Sequence, residues 1–308
     1  MRIVFLGTPA FAVPTLEALV HQPGQTVTAV VCQPDRPAGR KGAVQAPPVK
    51  RAAEALGLPV YQPEHVRGAA AQAWLSAQQP DVLAVVAFGQ LLPVQVFSLP
   101  RLGAINAHAS LLPAYRGAAP IQWTLARGES QTGVTTMRID AGLDTGDMLL
   151  QDRLAIGACE TAPELSARLA ALAARLMVAT LTGLAAGALE AHPQRAGATP
   201  APLLKREDGR IQWSWTAQEI YNRWRGFEPW PGVHTRFRGR QLAILRCRVL
   251  PEVAAEPGRL LDYGSQLAVA CGRGGLGLDE VRLEGRQASS GAAFARGARI
   301  VWGTDSLA

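Results

Sequence analysis

Short apolar runs alternate with stretches of helical period through the first half of the chain. Ile3–Leu6, Val27–Cys32 and Val82–Ala87 are compact runs of aliphatic side chains, the pattern of strands buried on both faces. Between them, Phe11–His21, Val49–Leu56 and Ala69–Ala77 carry apolar positions at helical spacing, and Val60–Tyr61 is a short strand candidate. Ala104–Ala107 and Gly133–Ile139 read as further strands, with a helix over Ile121–Arg127 between them. Leu165, Leu169, Leu172 and Leu176 then form one stripe of a long helix. Strands separated by helices predict a mostly parallel, doubly wound (Rossmann-like) α/β sheet.

Periodicity disappears between Ala188 and Pro202, where Ala, Pro, Gly and Thr dominate. Beyond it come a helix around Thr216–Arg225 and short β-like runs at Val233–Phe237, Leu242–Val249, Leu267–Ala270, Leu278–Leu283 and Ile300–Trp302. Closely spaced glycines between them predict a small β-barrel of the OB-like kind. The expected organisation is a catalytic domain over 1–189, a linker over 190–204 and a barrel domain over 205–308.

Composition sharpens this picture in two places. The 308 residues are 48% hydrophobic and 18% charged, enough to bury a substantial core. The formal charge of +7 is uneven: residues 203–308 hold 16 Lys and Arg against 11 Asp and Glu, so a polyanionic partner would meet the C-terminal third. The four cysteines are far apart, without a Cys-x-x-Cys pair or a His at ligand spacing, so neither a zinc site nor a disulfide framework is readable. Met1–Gly7 runs directly into a strand pattern, and Leu176–Leu189 is too short to span a bilayer, so the expectation is a cytoplasmic protein without leader or membrane.

Gly7-Thr8-Pro9 follows the first strand but is no Gly-x-Gly-x-x-Gly, so a nicotinamide dinucleotide is not expected. The chemistry concentrates elsewhere. Asn106 and His108 close one strand, two residues apart and therefore on one face. Asp140, Asp144 and Asp147 lie in the Gly-rich loop after the next strand. A carboxylate reaching the imidazole would favour the charged ring, and spacing alone does not choose among the three. An amide, an imidazole and a carboxylate, with no activated Ser or Cys, suit a reaction whose nucleophile arrives with the substrate.

Asn106, His108, the run Ser110-Leu111-Leu112-Pro113, Gly117 and Asp144 resemble the formyltransferases that use 10-formyltetrahydrofolate. The likeness to those acting on methionyl-tRNA covers nearly the whole chain. It runs through Phe5-Leu6-Gly7-Thr8-Pro9, Gln33–Arg40, Tyr115–Gln122, Ile211-Gln212-Trp213 and Pro229-Trp230-Pro231-Gly232. The resemblance implies a catalytic trio of Asn106, His108 and Asp144, and a folate site lined by Ser110, Leu111, Leu112 and Pro113. Phe88, Gln90, Leu91 and Leu92, after the apolar strand, offer backbone groups for a pterin edge and apolar faces beside it. It implies methionyl-initiator tRNA as acceptor, tetrahydrofolate as product, no metal, and a monomer.

The loop Gln33–Lys50 carries Arg36, Arg40, Lys41 and Lys50 among four prolines, and its family counterpart enters the acceptor stem of tRNA. Arg40 is thus the leading tRNA contact, although Lys41–Ala46 is less basic than the family pattern. Lys205 and Arg206 are further tRNA candidates or ordinary surface charge. Trp213, Trp215, Trp224 and Trp230 are expected to build core rather than stack on bases. Rival readings are a formyltransferase for a small amine (an amino sugar or glycinamide ribonucleotide), a formyltetrahydrofolate hydrolase and a catalytically inactive tRNA-binding relative.

Overall fold

The computed structural model describes residues 1–38 and 42–308. Two compact units emerge: one of residues 1–120, 131–155 and 165–202, the other of 121–130, 156–164 and 203–308.

The first unit begins β1 (Arg2–Gly7), α1 (Val13–Val20) and β2 (Thr26–Val31), then a small hairpin of β3 (Arg36–Ala38) and β4 (Ala43–Gln45). It continues with α2 (Pro48–Ala55), β5 (Val60–Tyr61), α3 (Ala69–Ala77), β6 (Val82–Val86), α4 (Val94–Phe97) and β7 (Ala104–His108). After α5 (Pro120–Ala126), which falls in the second unit from residue 121 onward, come β8 (Gln131–Arg138), β9 (Met148–Ala155) and the long α6 (Ala162–Ala185). The seven-stranded sheet has the order β5-β2-β1-β6-β7-β8-β9. Pairing is parallel from β5 to β7 and antiparallel from β7 through β9, so the doubly wound expectation holds with one reversed strand, β8, beside the edge strand β9. The parallel strands are almost wholly buried, which is why they read as unbroken apolar runs.

Strand alternation gives the two faces different tasks. In β8, Thr136 shares a 2.7 Å hydroxyl contact with Thr180 of α6, while Thr135 points the other way. Thr135 pairs with His108 and Met137 with Asn106 across the β7–β8 ladder, so Asn106 and His108 stand on the face opposite α6. The same face carries the cluster of Val4, Leu6, Val31, Leu83, Val85, Phe88 and Leu92, closed by Leu75 of α3 and Val96 of α4.

Helix α6 is 24 residues and apolar enough to cross a bilayer by length and composition, which the shorter run Leu176–Leu189 did not suggest; 56% of its apolar window is buried inside the protein. Its core stripe is Leu165, Leu169, Leu172, Ala173, Met177, Thr180 and Leu181. Leu176 sits at the stripe's margin, half-buried. Truncating a leucine of the stripe to alanine would cost about 2–5 kcal/mol.

The second unit adds α7 (Ala217–Phe227), β10 (Val233–Phe237), β11 (Arg240–Leu250), β12 (Leu260–Asp262), β13 (Leu267–Ala270), β14 (Gly275–Leu283), β15 (Ser289–Ser290) and α8 (Gly291–Ala298). Its antiparallel sheet runs β10-β11-β14-β13-β12 with β15 on β14, a half-barrel. Ile300–Trp302 is not a strand. Arg299 takes a left-handed conformation (φ 50°) that caps α8, the Ile300 N–H bonds back to Ala295, and Val301 and Trp302 are exposed. Trp213 is core, donating to Thr235 at 3.0 Å, but Trp230 is 54% exposed and contradicts the core reading at that position.

Candidate active site

His108 ends β7 and is buried. Its Nε2 lies 2.9 Å from the carbonyl oxygen of Tyr115. A carbonyl only accepts, so Nε2 carries a proton and Nδ1 is the nitrogen turned away from Tyr115. Nδ1 is 3.6 Å from Asp144 Oδ2. The imidazole is therefore held from behind by backbone and faces a carboxylate in front. Asn106, two residues earlier on the same strand face, is half-buried.

The three aspartates divide by what they touch. Asp140 is spent within its loop, accepting from the Gly142 N–H at 3.0 Å and from the Thr145 hydroxyl at 2.7 Å. Asp147 is exposed. Asp144 alone of the three has an ion-pair contact with His108 among the described residues, and its Oδ2 also accepts from the Gly117 N–H at 2.9 Å. Gly117 has φ 121°, and a Cβ there would stand 2.6 Å from the Ala201 carbonyl oxygen, so only glycine presents its N–H in this way.

Reaching the imidazole is not a local matter for Asp144. β8 runs antiparallel to β7, with Arg138 opposite Ile105 and Thr135 opposite His108. The acidic loop therefore leaves the sheet three residues, about 10 Å, from His108 and has to turn back along β7. Asp144 itself adopts φ 53°, an uncommon conformation for a non-glycine residue.

The Ser110–Pro113 turn is fastened to the same sheet. The Thr135 hydroxyl donates to the Ser110 carbonyl at 2.7 Å and accepts from the Leu112 N–H at 3.1 Å. Gln151 of β9 donates to the Leu112 carbonyl at 3.0 Å. Ser110 is fully buried and donates to the Ala114 carbonyl at 2.6 Å. Leu112 is buried, and Leu111 and Pro113 are half-buried.

Val85 of β6 pairs with Asn106, so the turn Phe88–Leu92 leaves the sheet beside the end of β7. Within it Phe88 and Leu92 belong to the core and Leu91 is 80% exposed. The Gln90 side chain is committed to the protein, accepting from the Val66 N–H at 2.8 Å and donating to the carbonyls of Pro63 and Glu64. The Thr8 hydroxyl donates to the Phe88 carbonyl at 2.7 Å, tying the β1 turn to the β6 turn. Among the described residues, no group of three or more His, Cys, Asp and Glu side chains is placed to hold a metal.

The family signature described as formyl transferase matches residues 1–181, and that of the formyl transferase C-terminal domain matches 203–299. The chain belongs to the formyl transferase family. This formyl transferase is 55% identical over 302 residues to a methionyl-tRNA formyltransferase of Solibacter usitatus, with 97% of this chain and 96% of that one covered. It is 53% identical over 301 residues to one of Acidobacterium capsulatum, with 96% of each covered. A solved methionyl-tRNA formyltransferase from Clostridium thermocellum shares the fold at 16% identity, with a TM-score of 0.56 over 80% of this chain and 93% of that one.

The basic residues of this formyl transferase fall into separate groups. Arg40 and Lys41 lie outside the described residues. Arg36 is exposed on β3. Lys50 is paired with Asp35 at 2.7 Å; the ammonium holds the Asp35 carboxyl below its ordinary range, and the carboxylate raises Lys50 in turn. Gln62 donates to Asp35 at 2.7 Å and to the Gln33 carbonyl at 2.8 Å, which anchors the base of the loop, and burial pushes the adjoining Cys32 thiol up to about 11. Lys205 and Arg206 are exposed in the second unit, where Arg206 lines a cleft with Arg282, Arg286 and Gln241.

Sequence reasoning did not reach Tyr115, Thr135, Gln151, Gln194 or Thr199, all of which hold site segments through hydrogen bonds. Tyr115 and Gly117 at least sit in a motif with a recognisable resemblance. Gln194 and Thr199 lie in the aperiodic stretch, where no local pattern marks them.

Proposed function

We infer that this protein transfers the formyl group of 10-formyltetrahydrofolate to the α-amine of methionyl-initiator tRNA, yielding formylmethionyl-tRNA and tetrahydrofolate for translation initiation. The observation that carries the chemistry is the His108–Asp144 contact on the strand face shared with Asn106. The full-length likeness to relatives named methionyl-tRNA formyltransferase carries the substrate and favours tRNA over a small amine.

The amine attacks the formyl carbon, and negative charge develops on the formyl oxygen. The Asn106 amide and the charged His108 ring donate to that oxygen, with Nδ1 as the working nitrogen because Nε2 is taken by Tyr115. Each such donor is worth about 2.7–4 kcal/mol of barrier. Asp144 balances the imidazolium and accepts the amine proton through water, or through the ring once the ring has passed its own Nδ1 proton to the carboxylate. Collapse then breaks the formyl C–N bond, and the departing folate nitrogen takes up one proton in exchange. No step needs a metal.

Folate contacts are assigned to Ser110–Pro113 and to Phe88–Leu92. Gln90 contributes its main chain there, since its side chain is occupied by Val66, Pro63 and Glu64. Contacts to tRNA are assigned to Arg36, Arg40 and Lys41 of the loop and to Lys205 and Arg206. The catalytic part is assigned to 1–189 and the tRNA-binding part to 205–308, working in the cytoplasm.

The test is incubation with charged initiator and elongator methionyl-tRNAs and 10-formyltetrahydrofolate. Formylation of the initiator alone is expected. Formylation of neither removes the assignment.

A further inference from the structure

We propose that Gln194, in the aperiodic segment after α6, is a positioning residue that sets the distance between Asp144 and His108; this rests on the catalytic roles just assigned. Residues 190–202 are bound along the first unit rather than free between two domains. The Met148 and His192 main chains exchange two 2.8 Å hydrogen bonds, while the Arg116 N–H donates to the Thr199 carbonyl at 2.9 Å and the Arg116 carbonyl accepts from the Ala201 N–H at 2.7 Å. Most of the segment is exposed, but Gln194 is half-buried.

Every hydrogen-bonding site of the Gln194 amide is used. Its Nε2 donates to the carbonyls of Asp144 at 2.8 Å and Gly146 at 2.9 Å. Its Oε1 accepts from Arg116 Nη2 at 2.7 Å and Nε at 3.0 Å. Two donors and two lone pairs thus join the acidic loop to the Tyr115–Gly117 turn. Those two segments supply both neighbours of the imidazole: the Asp144 carboxylate at Nδ1 and the Tyr115 carbonyl at Nε2. Thr199, farther along the segment, accepts from the Tyr115 N–H at 2.9 Å and supports the second of them.

The need for such a clamp follows from topology. The acidic loop leaves β8 about 10 Å from His108, and Asp144 is held at positive φ. An amide satisfies this position where a carboxylate cannot, because two carbonyls must be given donors while a guanidinium is given an acceptor.

Gln194→Leu removes all four contacts. Gln194→Glu keeps an acceptor for Arg116 and sets a carboxylate against two carbonyls. Both variants are expected to lose about 10–100-fold in kcat, with KM for tRNA and folate within about threefold. Gln194→Glu is expected to recover thermal stability relative to Gln194→Leu without recovering kcat. The imidazole 15N signals of His108, identified by their loss in His108→Ala, should shift in both variants in the absence of substrate.

A folded Gln194→Glu protein with native kcat, or with native His108 signals, overturns the proposal, and it decides alone if Gln194→Leu does not fold. His108→Ala separates the two levels of inference. If it retains turnover, the catalytic assignment itself is wrong. If it is inactive while the Gln194 variants turn over normally, only the positioning role fails.

Discussion

The two units use their polar side chains in opposite ways. In the first, His108 and Asp144 have side chains 7% and 14% exposed and are held by main-chain groups of Tyr115 and Gly117. In the second, Arg206, Arg236, Arg240, Arg246, Arg282 and Arg286 stand exposed on the surface of a half-barrel. Arg206 among them donates to Gln241 at 2.9 Å, and the neighbouring Arg238 pairs with Asp305 at 2.9 Å. Transition-state stabilisation needs groups fixed before reaction, whereas attraction of a polyanion needs only charge on one surface. On the proposed function, the first unit would be sensitive to small displacements and the second tolerant of them.

The largest effect should come from the first unit. Asp144→Asn keeps the shape of the carboxylate and should lower kcat about 10²–10⁴-fold. Asn106→Ala should lower it about 10²–10³-fold. Combining the two should cost less than the product of the single losses, because both act on one charge development. Single-turnover kinetics with far-UV circular dichroism checks this, and near-native turnover in the Asp144 variant would end the catalytic comparison.

Charge removal in the second unit should act on binding alone. Arg206→Gln combined with Arg282→Gln and Arg286→Gln should weaken tRNA binding and flatten its log–log salt dependence by about one unit per lost phosphate contact. Turnover at saturating tRNA should stay native. A loss of kcat at saturation would mean that the basic cleft is not a passive electrostatic surface.

The smallest effect concerns a helix start in the second unit. Thr216 caps α7, and Glu219 accepts from the Thr216 N–H and hydroxyl, which holds its carboxyl below the ordinary 4.5. Glu219→Gln should cost about 1 kcal/mol at neutral pH. Because the folded carboxyl is more acidic than the unfolded one, its contribution is complete above pH 4.5 and disappears as pH falls through the lowered value. The gap between native and variant denaturation midpoints should therefore close in acid. A gap independent of pH would assign the effect to packing.

Much of the sheet was legible because its central strands are buried on both faces. Ile3–Leu6, Val27–Cys32 and Val82–Ala87 became β1, β2 and β6 with boundaries shifted by a residue or two. β9 was not legible: it is an edge strand whose Gln151, Asp152 and Arg153 are exposed, so the apolar alternation breaks off. The hairpin β3–β4 was hidden by prolines and glycines that read as loop. Ile300–Trp302 misled because branched and aromatic residues in a row resemble a strand, whereas here they follow a helix cap, and Val301 and Trp302 face solvent.

Local order in the chain determined which strands are buried, which strand face carries Asn106 and His108, and the motifs that mark the family, because neighbours along the backbone express themselves as period and composition. Tertiary structure alone decided that Asp144 rather than Asp140 or Asp147 meets the imidazole, that Nε2 is the occupied nitrogen, and that the segment around Gln194 belongs to the site. Apart from the His108–Tyr115 contact, which spans seven positions, those outcomes depend on hydrogen bonds between residues 27 to 84 positions apart, such as Gly117 with Asp144 and Tyr115 with Thr199. Directional bonds at that separation leave no trace in a local hydrophobic pattern; they exist only once the antiparallel turn of β8 has brought the loops together.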